Sequence, residues 1–321
     1  MKHVSVLLNE SIDCLNVKKD GIYVDATLGY AGHSSVILKR LDTGYLYGID
    51  QDDTAIEYSA EKLSQIGNNY CIIKSNFVNI KEELHKRGVD RVDGILFDLG
   101  VSSVQLDEAD RGFSFHNDAK LDMRMDRSNP VSAYNVVNEY SLSDLTRIIR
   151  DYGEEKYAYS IAKKIVEYRN NKKIETTLEL VDIIKSGMPM KAMRNTHPAR
   201  RTFQAIRIEV NKELEVLERA LISSLELLNV GGRISVITFH SLEDKIVKNI
   251  FKKYSEVDDK LKSLPFIPEE YMPSYKVIEK GITPCEEELL NNNRARSAKL
   301  RVIERIKEWY YEKEKEEKGS Y

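Results

Sequence analysis

Apolar residues along this chain switch between a period of two and a period near 3.6. Ile22-Tyr23-Val24 is a short β-prone run that ends in an acid, Asp25. A turn punctuated by Gly29 and Gly32 follows, then a helical pattern carried by Val36, Ile37, Leu38 and Leu41. The alternation repeats. Tyr45–Ile49 predicts a strand ending at Asp50, and 53–66 a helix with Ile56, Ala60 and Leu63 on one face. Strand 70–74, short helix 80–87 and strand Val92–Phe97 come next, the last running into Asp98-Leu99-Gly100. Strands alternating with helices predict a parallel sheet whose binding crevice lies outside the strands' carboxyl ends. Asp25, Asp50 and Asp98 all fall at or just past such ends.

From about Gln105 to Arg201 the strand signal stops. Helices are expected at Leu142–Arg150, Tyr157–Arg169 and Leu178–Ser186, with Ser141 or Ser143 and Thr176 or Thr177 as N-caps. A long helix is expected over Phe203–Leu228, stopped by Gly231-Gly232. A fifth strand at Arg233–Phe239 and a helix at Leu242–Tyr254 follow. Tyr275–Glu279 and Lys299–Arg305 suit an antiparallel pair that completes the sheet. Lys307–Lys318 suits a charged, frayed helical tail. The expected organisation is a Rossmann-like domain of residues 1–104 and 202–321, with an inserted helical domain of residues 105–201 for substrate recognition.

Composition narrows the function classes. The chain has 321 residues, 41% hydrophobic, with 49 Lys+Arg against 52 Asp+Glu. A net charge of -3 does not mark a nucleic-acid binder, so such a role must rest on a local patch. Cys14, Cys71 and Cys285 are scattered without a Cys-x-x-Cys pair, which argues against a zinc site or disulfide scaffold and fits a reducing cytosol. No apolar run approaches the ~18–20 residues of a membrane helix. A cytoplasmic protein without a membrane partner is expected.

Three ligands compete for the glycine turn. A dinucleotide site wants Gly-x-Gly-x-x-Gly, and counting from Gly29 this chain has Ala31 and Ser34 at the second and third positions. A P-loop wants Gly-Lys-Ser/Thr, and Gly32-His33-Ser34 has no lysine. S-adenosylmethionine has no phosphate and needs fewer glycines. Asp50 suits the ribose hydroxyls of a dinucleotide or of the methyl donor equally, so it does not discriminate. The failed pyrophosphate pattern does.

Further motifs follow in order: Asp98-Leu99-Gly100-Val101-Ser102-Ser103-x-Gln105-Leu106-Asp107, Arg111-Gly112-Phe113-Ser114-Phe115, and Leu121-Asp122-Met123-Arg124-Met125-Asp126. His197-Pro198-Ala199-Arg200-Arg201-Thr202-Phe203-Gln204-Ala205, Phe239-His240-Ser241-Leu242-Glu243-Asp244 and Arg294-Ala295-Arg296-Ser297 complete the set. From about His3 to Ile306 this sequence closely resembles the RsmH (MraW) family, bacterial enzymes that methylate N4 of a cytosine in the decoding region of 16S rRNA. The resemblance implies a class I S-adenosylmethionine-dependent methyltransferase fold with a helical insertion. It also implies 16S rRNA of the small ribosomal subunit as partner, and a homodimer is compatible with it. Carried over by position, the cofactor residues are Ala31, Gly32, His33, Asp50, Phe77, Asp98 and Gln105. The turn departs from the family's frequent Gly-Arg-Gly-Gly-His, with Tyr30 and Ala31 in place of Arg and the middle Gly. A methyl at Ala31 is tolerable if its φ is negative. Val104 and Asn293 also stand where the family commonly has Pro.

The implied chemistry is in-line transfer to an exocyclic amine whose lone pair is delocalised into the ring. Alignment can supply roughly 7–11 kcal/mol, and an acceptor for the N–H lets the lone pair localise. Asp98 or a neighbouring carbonyl is the expected acceptor, and the target base must leave its stack. Between Lys185 and Lys212 lie seven basic residues (Lys185, Lys191, Arg194, Arg200, Arg201, Arg207, Lys212) against Glu209 alone. Arg194, Arg200 and Arg201, with Arg294 and Arg296 of a second cluster, are the candidate phosphate contacts.

Each candidate has a plainer reading. Asp25 and Asp98 suit turns or caps, Phe77 suits core packing, and His33 and His240 suit structural roles. The Asp122–Asp126 run has poor ligand spacing, so no metal site is assigned. A nicotinamide-dependent oxidoreductase on the same fold and a non-catalytic rRNA-binding assembly factor are the competing functions.

Overall fold

A computed structural model describes residues 5–101, 109–194, 197–263 and 265–308. The chain divides into two compact units, one of residues 1–100 with 215–321 and one of residues 101–214. Gln105 and the rest of the 102–108 segment lie outside the described residues, as does the tail from residue 309.

The first unit is built on a seven-stranded sheet of order β3-β2-β1-β4-β5-β7-β6. β1 (Ile22–Asp25), β2 (Tyr45–Asp50), β3 (Tyr70–Lys74), β4 (Val92–Asp98) and β5 (Leu228–Thr238) run parallel. β6 (Tyr275–Ile282) and β7 (Lys299–Arg305) are the expected antiparallel pair, and β7 also runs antiparallel to β5. Helices α1 (Leu8–Leu15), α2 (Gly32–Arg40), α3 (Asp53–Ser64) and α4 (Ile80–His85) punctuate the first half. Helices at Glu213–Leu227 and Ser241–Ser255 flank β5 in sequence.

Side chains alternate across the strands, so two cores form. Val24, Ile95, Phe97 and Val236 bury with Leu217, Leu221, Val247 and Phe251 on one face. Their strand neighbours Tyr23, Leu46 and Leu96 bury with Ile12, Leu15, Ile37 and Leu63 on the other. A sheet covered on both faces leaves its strand ends as the open places for a site. Among the described residues, no helix is long and apolar enough to cross a membrane.

The second unit is helical. Leu142–Asp151, Ala158–Arg169 and Thr177–Ser186 form as expected, joined by Ala133–Glu139, which the pattern did not announce. Ser141 and Thr176 are the caps, the latter in a reciprocal capping box with Glu179. Val136, Ile148, Ile161, Ile184 and Phe203 share this unit's core.

The long helix expected over Phe203–Leu228 is two. Arg200–Asn211 ends at Lys212, which has φ 51, and Glu213–Leu227 starts anew. Neighbouring side chains hold the break. Asn211 donates to the carbonyls of Met123 (2.8 Å) and Arg207 (2.9 Å) and accepts from the Met125 N–H, while Glu213 takes both donors of the Arg207 fork. The compact unit therefore runs past Arg201 to residue 214. The Gly231-Gly232 pair lies within β5, which already starts at Leu228.

Candidate active site

β1, β2 and β4 are neighbours, and their carboxyl ends carry Asp25, Asp50 and Asp98. The chain leaves β1 towards β2 and β3, then returns to β4 on β1's other side. That reversal is the switch point where open α/β sheets bind ligands.

Asp25 is 1% exposed and pins the turn: its carboxylate accepts from the Ser34 hydroxyl at 2.7 Å and the Thr27 N–H at 3.2 Å. Burial pushes its pKa up to about 6, partly offset by the Ser34 hydrogen bond. Asp50 accepts from the Gly29 N–H (2.8 Å) through one oxygen and from the Asp52 N–H (2.9 Å) through the other. Lone pairs left on the carboxylate can take further donors, which suits a ribose diol. Burial raises its pKa despite those bonds.

The turn itself corrects one expectation. Ala31 has φ 52 and caps α2 from the left-handed region, so its φ is positive rather than negative. A left-handed non-glycine residue costs roughly 1–2 kcal/mol. Contacts around the turn offset that cost. The Ala31 methyl is fully buried in the core, Lys62 donates to the Tyr30 carbonyl at 2.9 Å, and the Tyr30 ring stands edge-on to Tyr58. Gly32 is required by the N-terminal segment, because a Cβ there would meet the Ser5 hydroxyl at 1.8 Å. His33 is buried, with Nε2 3.2 Å from the Val6 carbonyl and Nδ1 3.6 Å from Asp98.

Asp98 is the least comfortable group of the site. Its backbone N–H donates to the Thr27 hydroxyl at 2.7 Å, and the following Leu99 N–H to the Ile237 carbonyl at 3.0 Å, so its position is fixed. The side chain is 23% exposed, yet Oδ1 is enclosed without a hydrogen-bond partner among the described residues. Burial, then the charges of Asp25 and Glu243, push its pKa up to about 8. A buried acceptor left open at a strand end is where a ligand's donor or positive charge belongs.

Phe77 opens a single 3₁₀ turn just after β3, part-buried and edge-on to Phe97 at 5.6 Å. That leaves ring surface for a flat partner. His240 takes its plainer reading. It caps the helix Ser241–Ser255 in a box with Glu243, whose carboxylate accepts from the Phe239 and His240 N–H groups.

In the fold the basic patch is smaller than its run of charges. Lys185 pairs with Asp182, Lys212 with Glu209, and Arg207 with Glu213 in a part-buried fork. Arg194, Arg200 and Arg201 remain exposed, Arg201 also donating to the Glu154 carbonyl. In the second cluster Arg294 and Arg296 are exposed, while Arg301 is held in two bonds by Asp244. Asp122 likewise binds Arg124 through both oxygens, so the Asp122–Asp126 run is a self-paired turn.

Sequence reasoning missed the support of the turn: Ser5, Val6, Thr27 and Ser34. Only Ser34 carried a signal, as the small polar residue that can face an acid at the helix start.

The strand order, the antiparallel β7 beside β5 and a glycine turn after an acid-tipped β1 define a class I methyltransferase fold. The chain belongs to the MraW methylase family, whose model matches residues 1–306. The methyl donor is therefore S-adenosylmethionine. A protein of Exiguobacterium sibiricum named ribosomal RNA small subunit methyltransferase H is 55% identical over 309 residues, 96% of this chain and 99% of its own. Two solved structures are similar at low identity. An rRNA methylase of Streptococcus thermophilus has TM-score 0.44 and 12% identity, covering 96% of this chain and 99% of its own. A candidate rRNA-methylase from Clostridium thermocellum has TM-score 0.45 and 14% identity, covering 95% and 100%.

Proposed function

We propose that this chain transfers a methyl group from S-adenosylmethionine to the N4 amine of a cytosine in the decoding region of 16S rRNA. Membership of a methylase family over residues 1–306, and a relative named for small-subunit rRNA methylation that matches end to end, support an rRNA methyltransferase. The observation that carries the amine as target is Asp98, a fixed carboxyl whose enclosed Oδ1 has no partner among the described residues.

Ala31, Gly32 and His33 form the turn against which the cofactor's amino-acid end would lie. Asp50 offers lone pairs to the ribose, and Phe77 a ring face to the adenine. Gln105, assigned to the same site, lies outside the described residues. The cofactor supplies an electrophilic methyl. Asp98 accepts the N–H of the incoming amine, letting its lone pair localise. Arg194, Arg200, Arg201, Arg294 and Arg296 contact RNA phosphates, and the helical insertion of residues 105–201 serves substrate recognition.

Mass mapping of 16S rRNA from cells with and without this gene tests the reading. One decoding-region cytosine should lose a methyl in the deletion and regain it when the gene is restored. An unchanged methylation map would refute it. A non-catalytic assembly factor would restore particle maturation with Asp98→Ala as well as with the parent protein.

A further inference from the structure

The Asp98 carboxyl, enclosed at Oδ1, has other acids and one imidazole as its charged and titratable neighbours among the described residues. The described groups acting on it are Asp25 from β1, Glu243 from the helix Ser241–Ser255, and His33 from α2. No lysine or arginine among the described residues offsets these acids at Asp98. Val6 presents a carbonyl to His33 Nε2, and a carbonyl only accepts, so Nε2 carries the ring proton. His33 Nδ1 stands 3.6 Å from Asp98 Oδ2, beyond hydrogen-bond reach. An enclosed Oδ1 with no donor among the described residues disfavours the carboxylate. The enclosure of Oδ1 and the neighbouring acids thus point the same way.

We infer that Asp98 holds a proton in the free enzyme, yields it when the positively charged methyl donor binds, and recovers one from the methylated amine. Its protonation state follows the charge on the bound sulfur. This deepens the methyltransferase reading and rests on it.

The cycle balances. A cation bound beside Asp98 would favour the carboxylate, so Asp98 would release its proton to solvent on cofactor binding. The amine lone pair then forms the N–C bond as the C–S bond breaks, with its electron pair going to sulfur. Sulfur becomes a neutral thioether, and the nitrogen, now positive, passes a proton to the Asp98 carboxylate. The product complex holds a neutral acid beside a neutral thioether, the same charge state as the free site. The proton of the overall reaction is therefore liberated at cofactor binding and not at methyl transfer. S-adenosylhomocysteine, lacking the sulfonium charge, enters without displacing a proton from Asp98.

Calorimetric titration of the full chain without RNA tests this, using S-adenosylmethionine and S-adenosylhomocysteine near pH 7 in two buffers of different ionisation heat. S-adenosylmethionine should release about one proton more than S-adenosylhomocysteine. With Asp98→Asn, which resembles the protonated acid in shape, the difference should vanish. Should that variant fail to fold or bind, the parent protein titrated near pH 10 provides the second arm, because Asp98 is then already ionised and the difference should disappear there too. Equal proton counts for the two ligands near pH 7 would overturn the inference, as would a difference that survives in Asp98→Asn or near pH 10. If neither ligand binds, the methyltransferase reading fails with it; if both bind with equal counts, only the proton cycle fails.

Discussion

Asp98→Asn removes a charge that folding places where water follows poorly, and its effect on stability has a definite sign. The carboxyl rises from 3.8 to about 8 in the fold. The folded chain therefore keeps a proton that the unfolded chain sheds, and stability from this group is full below pH 3.8 and lost as pH climbs through about 8. At about 1.4 kcal/mol per pH unit, a fully enclosed group would lose nearly 6 kcal/mol. The 23% exposure of the side chain lets water screen part of that, and about 2–3 kcal/mol is a reasonable expectation. The Asn variant lacks the ionisation, so it should match the parent near pH 4 and exceed it by this amount at pH 9. Amide exchange of β4 and β5, corrected for intrinsic rates, measures opening of the sheet that carries Asp98. A stability difference that stays constant between pH 4 and 9 would refute the account of Asp98's environment.

The same ionisation shapes catalysis, because the acceptor must be a carboxylate. kcat/KM for the cofactor, which reports the free enzyme, should rise with pH and level off near 8, while kcat should level off lower; a flat profile from pH 6 to 9 excludes Asp98 as acceptor. Ala31→Gly should change stability by less than about 1 kcal/mol, since relief of the left-handed backbone is offset by the lost buried methyl and a more flexible unfolded chain. Ala31→Val should cost more than about 2 kcal/mol by thermal unfolding and weaken cofactor binding, because a branched side chain fits neither the φ of 52 nor the packed core. Arg200→Ala with Arg201→Ala should lower the salt slope of RNA binding by about 1–2 without unfolding the chain. Arg207→Ala should instead destabilise by about 1–3 kcal/mol by stranding Glu213, and an RNA-only effect would contradict that placement.

Much of the first unit was legible because its strands are short apolar runs that end at acids. β3 lies where the pattern put it, and β6 and β7 pair as expected. α1 was not read, although Leu8, Ile12 and Leu15 have helical spacing; eight residues entered from a left-handed Leu7 give too little periodicity to register. The break at Lys212 was invisible for a different reason. The apolar spacing of Phe203–Leu228 continues through it, and the interruption depends on bonds from Asn211 and Glu213 to residues distant in sequence or one turn back.

The candidate site was legible in position but not in electrostatics. Sequence placed three acids at strand ends, without a sign that Asp25 would tie to Ser34, that Asp50 would accept backbone N–H groups, or that Asp98 Oδ1 would accept none among the described residues. The basic patch shows the reverse limit. Seven charges close in sequence looked like one surface, and folding gives three of them acidic partners.

The most direct test of the central claim is transfer of labelled methyl from S-adenosylmethionine to small-subunit rRNA by the purified chain, with the product nucleoside identified after digestion. The account predicts N4-methylcytidine at a single decoding-region position, lost in Asp98→Ala. Label on a ring carbon or another base, or turnover by Asp98→Ala within about tenfold of the parent, would contradict it.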